Sequence, residues 1–454
     1  MLAAQPRVAL APGVEAALDR ITAASLRGNL SFLASDALEG RDTPSRGLDI
    51  AAEFIASQFR RAGLEPAGDD GYFQTARLVT RKPNLDGFTL ELSAGEEHFT
   101  AAANDVAITS PGALSLLNAP LVKAGAGEPL AGKVVIDERR DFAAGNTLRD
   151  PAIPAIILVG SGGPRGSSAG LRIPDDPEGK GPVVIRLSGE TASKFYAALK
   201  PGVPATASIH LAAPIETQVT ARNVVGVLRG SDEELKQTCV MVSAHYDHLG
   251  MKPAGEGDRI YNGANDDGSG TVSVVELAGA LAGMPRRAKR SILFAAFFGE
   301  EKGLVGSRYY ALHPVFPLNK TVADVNLEQL GRTDGDGAER HANVTGFDYS
   351  TVTEFLVAAG GATGVKVLKN EQRSDPFFRA SDNYSLAKEG VPAHTVSVTY
   401  LFPDYHQPGD EWQKIDYENM ARVDRMLAAA VIAMAESAEP PRWLKPLSPP
   451  PRAP

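Results

Sequence analysis

The chain has 454 residues, with 46 Lys and Arg against 55 Asp and Glu, a formal net charge of -9. That balance leaves no broad basic surface, so no nucleic-acid partner is expected, and the length exceeds one average domain. The single cysteine, Cys239, excludes an internal disulfide and a thiolate-ligated zinc site, and no apolar run approaches the roughly 18 residues of a membrane-spanning helix. The opening MLAAQPRVALAPGVEAAL lacks the basic start and unbroken apolar stretch of a signal peptide. Leu2-Ala3-Ala4-Gln5 reads as the remnant of a removed one, which places the protein in the periplasm or outside the cell, with the cytosol as the alternative.

From Ile21 to Gly63 the pattern is helical: Leu30, Phe32 and Leu33 are assigned to one face, and Ile50, Ala51, Phe54, Ile55 and Phe59 recur at helical spacing. Gly63, with Pro66 just beyond, reads as a helix stop. Between Val106 and Pro214 short β-type runs such as Val134-Val135-Ile136, Ala155 to Val159 and Val183-Val184-Ile185 alternate with Gly and Pro, and a helix is predicted over Thr191 to Leu199. From Asn223 onward strands alternate with helices. Val240 to Ser243, Ser291 to Phe298, Thr321 to Leu327 and Ala393 to Thr399 read as strands, and Thr271 to Ala282 as a helix. That alternation predicts an α/β fold with a mainly parallel sheet sandwiched between helices. Cys239, beside Val240-Met241-Val242, is expected in a buried strand. The proline-rich end PRWLKPLSPPPRAP is expected to be extended or disordered.

Ligands of open α/β sheets bind at the carboxyl ends of strands, and here those ends carry metal-binding residue types. The strand ends bring Ala244-His245-Tyr246-Asp247-His248, Glu300-Glu301, Asn326-Leu327-Glu328 and Asp404-Tyr405-His406, with Asn265-Asp266-Asp267-Gly268 before a helix. Each alone has a bland reading as a cap, a solvated turn or an ion-pair partner, but a packed sheet gathers them together. Imidazole and carboxylate without thiolate suit zinc, with cobalt or manganese as alternatives. Two histidines and three carboxylates can hold two ions when one carboxylate bridges. For Glu300-Glu301 an extended backbone is expected, which would send the two side chains to opposite sides.

The ordered motifs AHYD, GANDDGSG, FFGEEKGLVGS, NLEQLGR and YHQPGD resemble the co-catalytic di-zinc aminopeptidase family, which includes glutamate carboxypeptidase and glutaminyl cyclase relatives. The early stretch LSFLASDALEGRDTPSRGLDIAAEFIASQFRRAGLEP resembles bacterial members, and Val106 to Pro214 resembles the protease-associated domain inserted in some of them. The resemblance implies a zinc-exopeptidase fold, with its first part at 14–105, an inserted β-rich protease-associated domain at 106–214, the main catalytic part at 215–437 and a tail at 438–454. It further implies two zinc ions, one held by His245 and Glu328, the other by Glu301 and His406, with Asp266 bridging. Glu300 would be the general base and acid, Asp247 would orient His245, and Tyr405 would donate to the oxyanion. His248 reads as a rim residue.

Two departures stand out: the family usually has aspartate where this chain has Glu328, and Ser-Asp-His where it has Ser381-Asp382-Asn383, so Asn383 is given no role. The expected substrate is a peptide, cleaved at its N-terminal bond. Alternatives are a carboxypeptidase or dipeptidase, a glutaminyl cyclase, and a receptor-like binding protein on the same fold. The oligomeric state is left open.

Overall fold

The computed structural model describes residues 12–447 except 110–111, 126–128, 139–149, 151, 161–169, 175, 177–180, 201 and 253. The expected cleavage remnant at Leu2 to Gln5 lies outside the described residues. Two compact units emerge: one from residues up to 76 and 220–447, the other from 77–219.

In the larger unit four parallel strands lie side by side in the order Ser291–Phe297, Cys239–His245, Thr321–Leu327 and Ala393–Ser397. Val224 to Leu228 add antiparallel beside the first, and His341–Val344 antiparallel beside the last, with Lys366–Leu368 outermost. Every residue from Cys239 to His245 is at most 1% exposed, which is why the strand reads as a continuous apolar run rather than an alternation. The helices Ala23–Leu33, Arg46–Ala62, Gly270–Ala282 and Tyr417–Glu436 pack with one another on one face. On the opposite face Tyr310 and Leu386 bury against Val225, Cys239, Met241 and Leu293. Cys239 is thus a core residue, and burial pushes its thiol up to about 12.

Local signals explain the first helices. Ser45 accepts from the Leu48 amide to open Arg46–Ala62, and Gly63, at φ 74, closes it in the left-handed conformation that a Cβ would disfavour. Leu30 and Leu33 are fully buried as their spacing of three requires. Phe32 is not on that face. It is 41% exposed and leans on Phe54, because two helical residues apart means a rotation of about 200°.

The tail also differs from expectation over its described part. The Trp443 indole donates to the Gly390 carbonyl at 2.8 Å and Leu447 packs against the core, while 448–454 lie outside the described residues. The smaller unit has its own core, including Ile108, Ile136, Ile157, Ile185, Phe195 and Ile209. Its strands Leu114–Lys123, Val134–Asp137, Ala155–Gly160 and Val183–Ser188 run parallel, with Val106–Thr109 antiparallel at the edge, and they are joined by the α-helix Glu190–Ala198. None of the five motifs falls in it.

One buried histidine far from the strand-end motifs gives stability a pH dependence. His394 donates from Nδ1 to the Thr345 carbonyl at 2.8 Å and accepts from the Ser350 hydroxyl at 2.6 Å. Burial lowers its pKa to about 4. The unfolded chain, near 6.5, therefore binds the proton first as pH falls, so this contribution is complete above 6.5 and is lost on the way down through 4. The stability advantage of the natural protein over His394→Gln, measured by denaturant unfolding, should shrink by roughly 3 kcal/mol between pH 6.5 and 4.

Candidate metal centre

His245 is the last residue of its strand, aligned with Phe297 of the neighbouring strand. After Phe297 the chain does not stay extended. The amides of Gly303 and Leu304 return to the Glu300 carbonyl at 2.8 and 2.9 Å, so Glu300 and Glu301 sit in a tight turn. Their side chains diverge because of that turn and not through strand alternation. The Glu300 amide is held by Asp247 Oδ1 at 3.1 Å. Glu301 Oε1 lies 2.9 Å from His248 Nδ1 and 3.2 Å from His406 Nε2.

Asp266 and Asp267 also separate. Asp267 Oδ1 accepts from the Gly270 amide at 2.9 Å and the Gln329 amide at 3.2 Å, opening the helix and tying it to the next strand end. Asp266 directs Oδ1 to His245 Nε2 at 3.4 Å and Oδ2 to His406 Nε2 at 3.1 Å. One carboxylate thus faces an imidazole with each oxygen. Around it two ligand-type groups converge: His245, Asp266 and Glu328, and His248, Asp266 and Glu301, each with atoms within 4.8 Å of one another.

The donor set suits cations. Both ring nitrogens of His245 are buried without a hydrogen bond, as is Glu301 Oε1. Asp247 Oδ1 stands 3.5 Å from His245 Nδ1, on the side away from Asp266. Burial and the neighbouring Glu301, Glu328 and Asp382 hold the Glu300 carboxyl well above its ordinary range, against His245. Burial would raise Asp266 too, but His245 and His406 overcome it and hold that carboxyl low. His406 is correspondingly raised to about 10: burial opposes this, and Asp266 and Glu301 prevail. The crowding of carboxylates around imidazoles that still lack hydrogen bonds is what divalent cations would relieve.

All eight residues singled out from the sequence converge here. Tyr405 stacks on the His406 ring, with centroids 4.0 Å apart, and lines a pocket with Asp266, Glu300 and Glu328. His248 is not on the rim. It is fully buried, against Glu301 and edge-on to His406, and a side chain at Gly263 would run into its ring. Asn383 holds the Phe378 carbonyl and accepts from Thr395, away from the metal-binding groups.

Three residues beneath the site were given no role from the sequence, although Asp410 closes the motif YHQPGD. Arg41, fully buried, donates to the carbonyls of Leu33, Tyr246, Asn262 and Gly263 at 2.6 to 2.9 Å. It fixes both the loop after His245 and the loop before Asp266. Asp410 accepts from the amides of Asn265 and Asp266 at 3.0 and 3.1 Å, and Thr43 donates to Asp247 at 3.2 Å. Arg41 and Thr43 lie inside the early stretch quoted above, so its resemblance was the available signal. A side chain that only binds backbone carbonyls leaves no trace in periodicity or spacing.

Carboxylates and imidazoles gathered at the ends of parallel strands define a metal-binding α/β domain. Residues 223–431 match Peptidase family M28. Aminopeptidase YwaD of Bacillus subtilis (strain 168) is 29% identical over 234 residues, covering 50% of this chain and 48% of that protein. A probable zinc metalloprotease of Leptosphaeria maculans is 28% identical over 270 residues, 51% of this chain and 61% of its own. The chain thus spans about half the length of the curated relatives it matches. The aminopeptidase from Aneurinibacillus sp. strain AM-1 has the same fold, with a TM-score of 0.61 at 21% identity over 96% of this chain and 98% of that one.

Removing the Arg41 guanidinium leaves the buried carbonyls of Leu33, Tyr246 and Asn262 without a donor, while Gly263 keeps the Gly268 amide. Arg41→Met should lower unfolding stability by at least about 3 kcal/mol and make zinc easier to strip with a chelator. Arg41→Lys, which keeps the charge but not the planar fork, should recover only part of either loss in denaturant and chelator titrations.

Proposed function

We propose that the protein is a zinc-dependent aminopeptidase that hydrolyses the N-terminal bond of peptides. The observation that carries this reading is Asp266, whose two oxygens face two different histidines, with Glu300 lining the same pocket. The aminopeptidase and zinc metalloprotease names of the relatives support it.

In this reading two zinc ions per chain, replaceable by cobalt or manganese, are held by His245 and Glu328 on one side and Glu301 and His406 on the other, with Asp266 between. His248 joins Glu301 as a neighbour of the second ion. When bound, such a pair polarises a carbonyl and acidifies water. The chain's own groups do the rest. Glu300, whose carboxyl is raised by burial, takes a proton from the attacking water and returns it to the departing amine. A carboxyl raised above its ordinary range is the better proton donor to the departing amine. Asp247 fixes the tautomer and orientation of His245. Tyr405, held against His406 by ring stacking, donates its hydroxyl to the oxygen that gains charge. We further read the smaller unit as a protease-associated domain, which the sequence resemblance supports.

Glu300→Gln should keep metal content near two per chain, measured by elemental analysis, while turnover of aminoacyl anilides falls by about 10²- to 10⁴-fold. N-acetylated peptides should resist the natural enzyme. Normal turnover by Glu300→Gln would remove Glu300 as the base, and cleavage of N-acetylated peptides from their C-terminal end would replace the aminopeptidase reading by a carboxypeptidase one.

A further inference from the structure

Asp266, Glu300 and Glu328 form one side of a pocket of about 50 Å³. A cavity of about 150 Å³ holds a benzene ring, so one a third that size takes a side chain of two or three heavy atoms. Its apolar wall is Phe377, Ala380 and the ring of Tyr400, whose buried hydroxyl lacks a partner; the remaining lining includes Thr345, Ser397 and Gln329.

Two of those polar groups have spare hydrogen-bonding capacity. Gln329 turns its amide nitrogen to Glu328, and its Oε1 is buried without a partner. Ser397, at 2% exposure on the end of its strand, has no side-chain hydrogen bond among the described residues. A hydroxyl supplies one donor and two acceptors, which is what this acceptor and this hydroxyl lack. A methyl in the same place leaves both unpaired, and an unpaired buried polar group costs its full desolvation.

We infer that this pocket receives the side chain of the N-terminal residue and selects a short hydroxyl-bearing one, threonine or serine. The inference rests on the aminopeptidase reading. Leucine, with four carbons beyond the backbone, exceeds the space. No lysine or arginine lines the pocket to receive an acidic side chain, and a long basic one does not fit. Threonine places its methyl against Phe377, Ala380 and Tyr400 and its hydroxyl toward Gln329 and Ser397. Sites built to bond a substrate hydroxyl discriminate against the isostere lacking it far better than apolar pockets discriminate by size.

Threonine and valine are such isosteres, and two measurements on the zinc-loaded protein separate this inference from the reading beneath it. Threonyl 4-nitroanilide should be cleaved with kcat/KM at least about tenfold above valyl and leucyl 4-nitroanilide. Free L-threonine should bind more tightly than L-valine by a similar factor in calorimetry, which needs no turnover. Ser397→Ala should narrow the threonine-to-valine ratio severalfold in both. Valine or leucine equal to threonine or better in both measurements, or a ratio that Ser397→Ala leaves intact, overturns the pocket assignment. Anilides that all stay uncleaved while threonine still binds tenfold more tightly would sink the aminopeptidase reading and support the pocket.

Discussion

Several carboxylates crowd the ends of strands that are buried on both faces, and the arrangement is unfavourable in the absence of cations. Much of the detail around the site offsets that cost. Asp247, Asp267 and Asp410 each accept backbone amides, from Glu300, from Gly270 and Gln329, and from Asn265 and Asp266. Their charge is thereby hydrogen-bonded, and each bond fastens a loop that carries a neighbouring acid. Arg41 adds a buried cation and fixes two of the same loops through their carbonyls. The result is two layers of acids: an inner one directed at the histidines and an outer one that secures the backbone.

A further polar web runs beneath Glu328. Ser243 donates to Asp324, Asn326 donates to Ser381 and Thr395, and Thr395 donates to Asn383. Burial raises the Asp324 and Asp382 carboxyls, so the sheet interior favours their neutral, proton-carrying forms. Asn383 fits this web as a neutral amide, which is a local reason for asparagine at the place where the wider family has histidine. Glu328, longer than the usual aspartate, is anchored at its backbone by the Val396 carbonyl, and Ser381 and Gln329 bond its carboxylate.

The parallel strands were legible because burial on both faces leaves continuous apolar runs, Glu301 and Glu328 because they closely follow such runs, and Asp266 because it stands just before a helix. The turn at Glu300-Glu301 was not: its course depends on Asp247 capturing the Glu300 amide, a contact between loops that no local pattern announces. His248 was misplaced for a related reason. Proximity to a loop suggests exposure, yet Gly263 lets another loop close over the ring. Phe32 was misplaced by counting residues instead of angles.

Arg41 also bears on the order in which the molecule can be completed. Its carbonyl partners at Tyr246, Asn262 and Gly263 are made some two hundred residues after it, and Asp410, which steadies the same loop, later still. At about 5 to 20 residues per second, a nascent chain holds this arginine without its partners for tens of seconds. The helix Ala23–Leu33 packs on both Gly270–Ala282 and Tyr417–Glu436, so its buried face is complete only once the later of these has been made. A chain cut short before Asp410 would carry most of the ligands and still lack the frame that aims them.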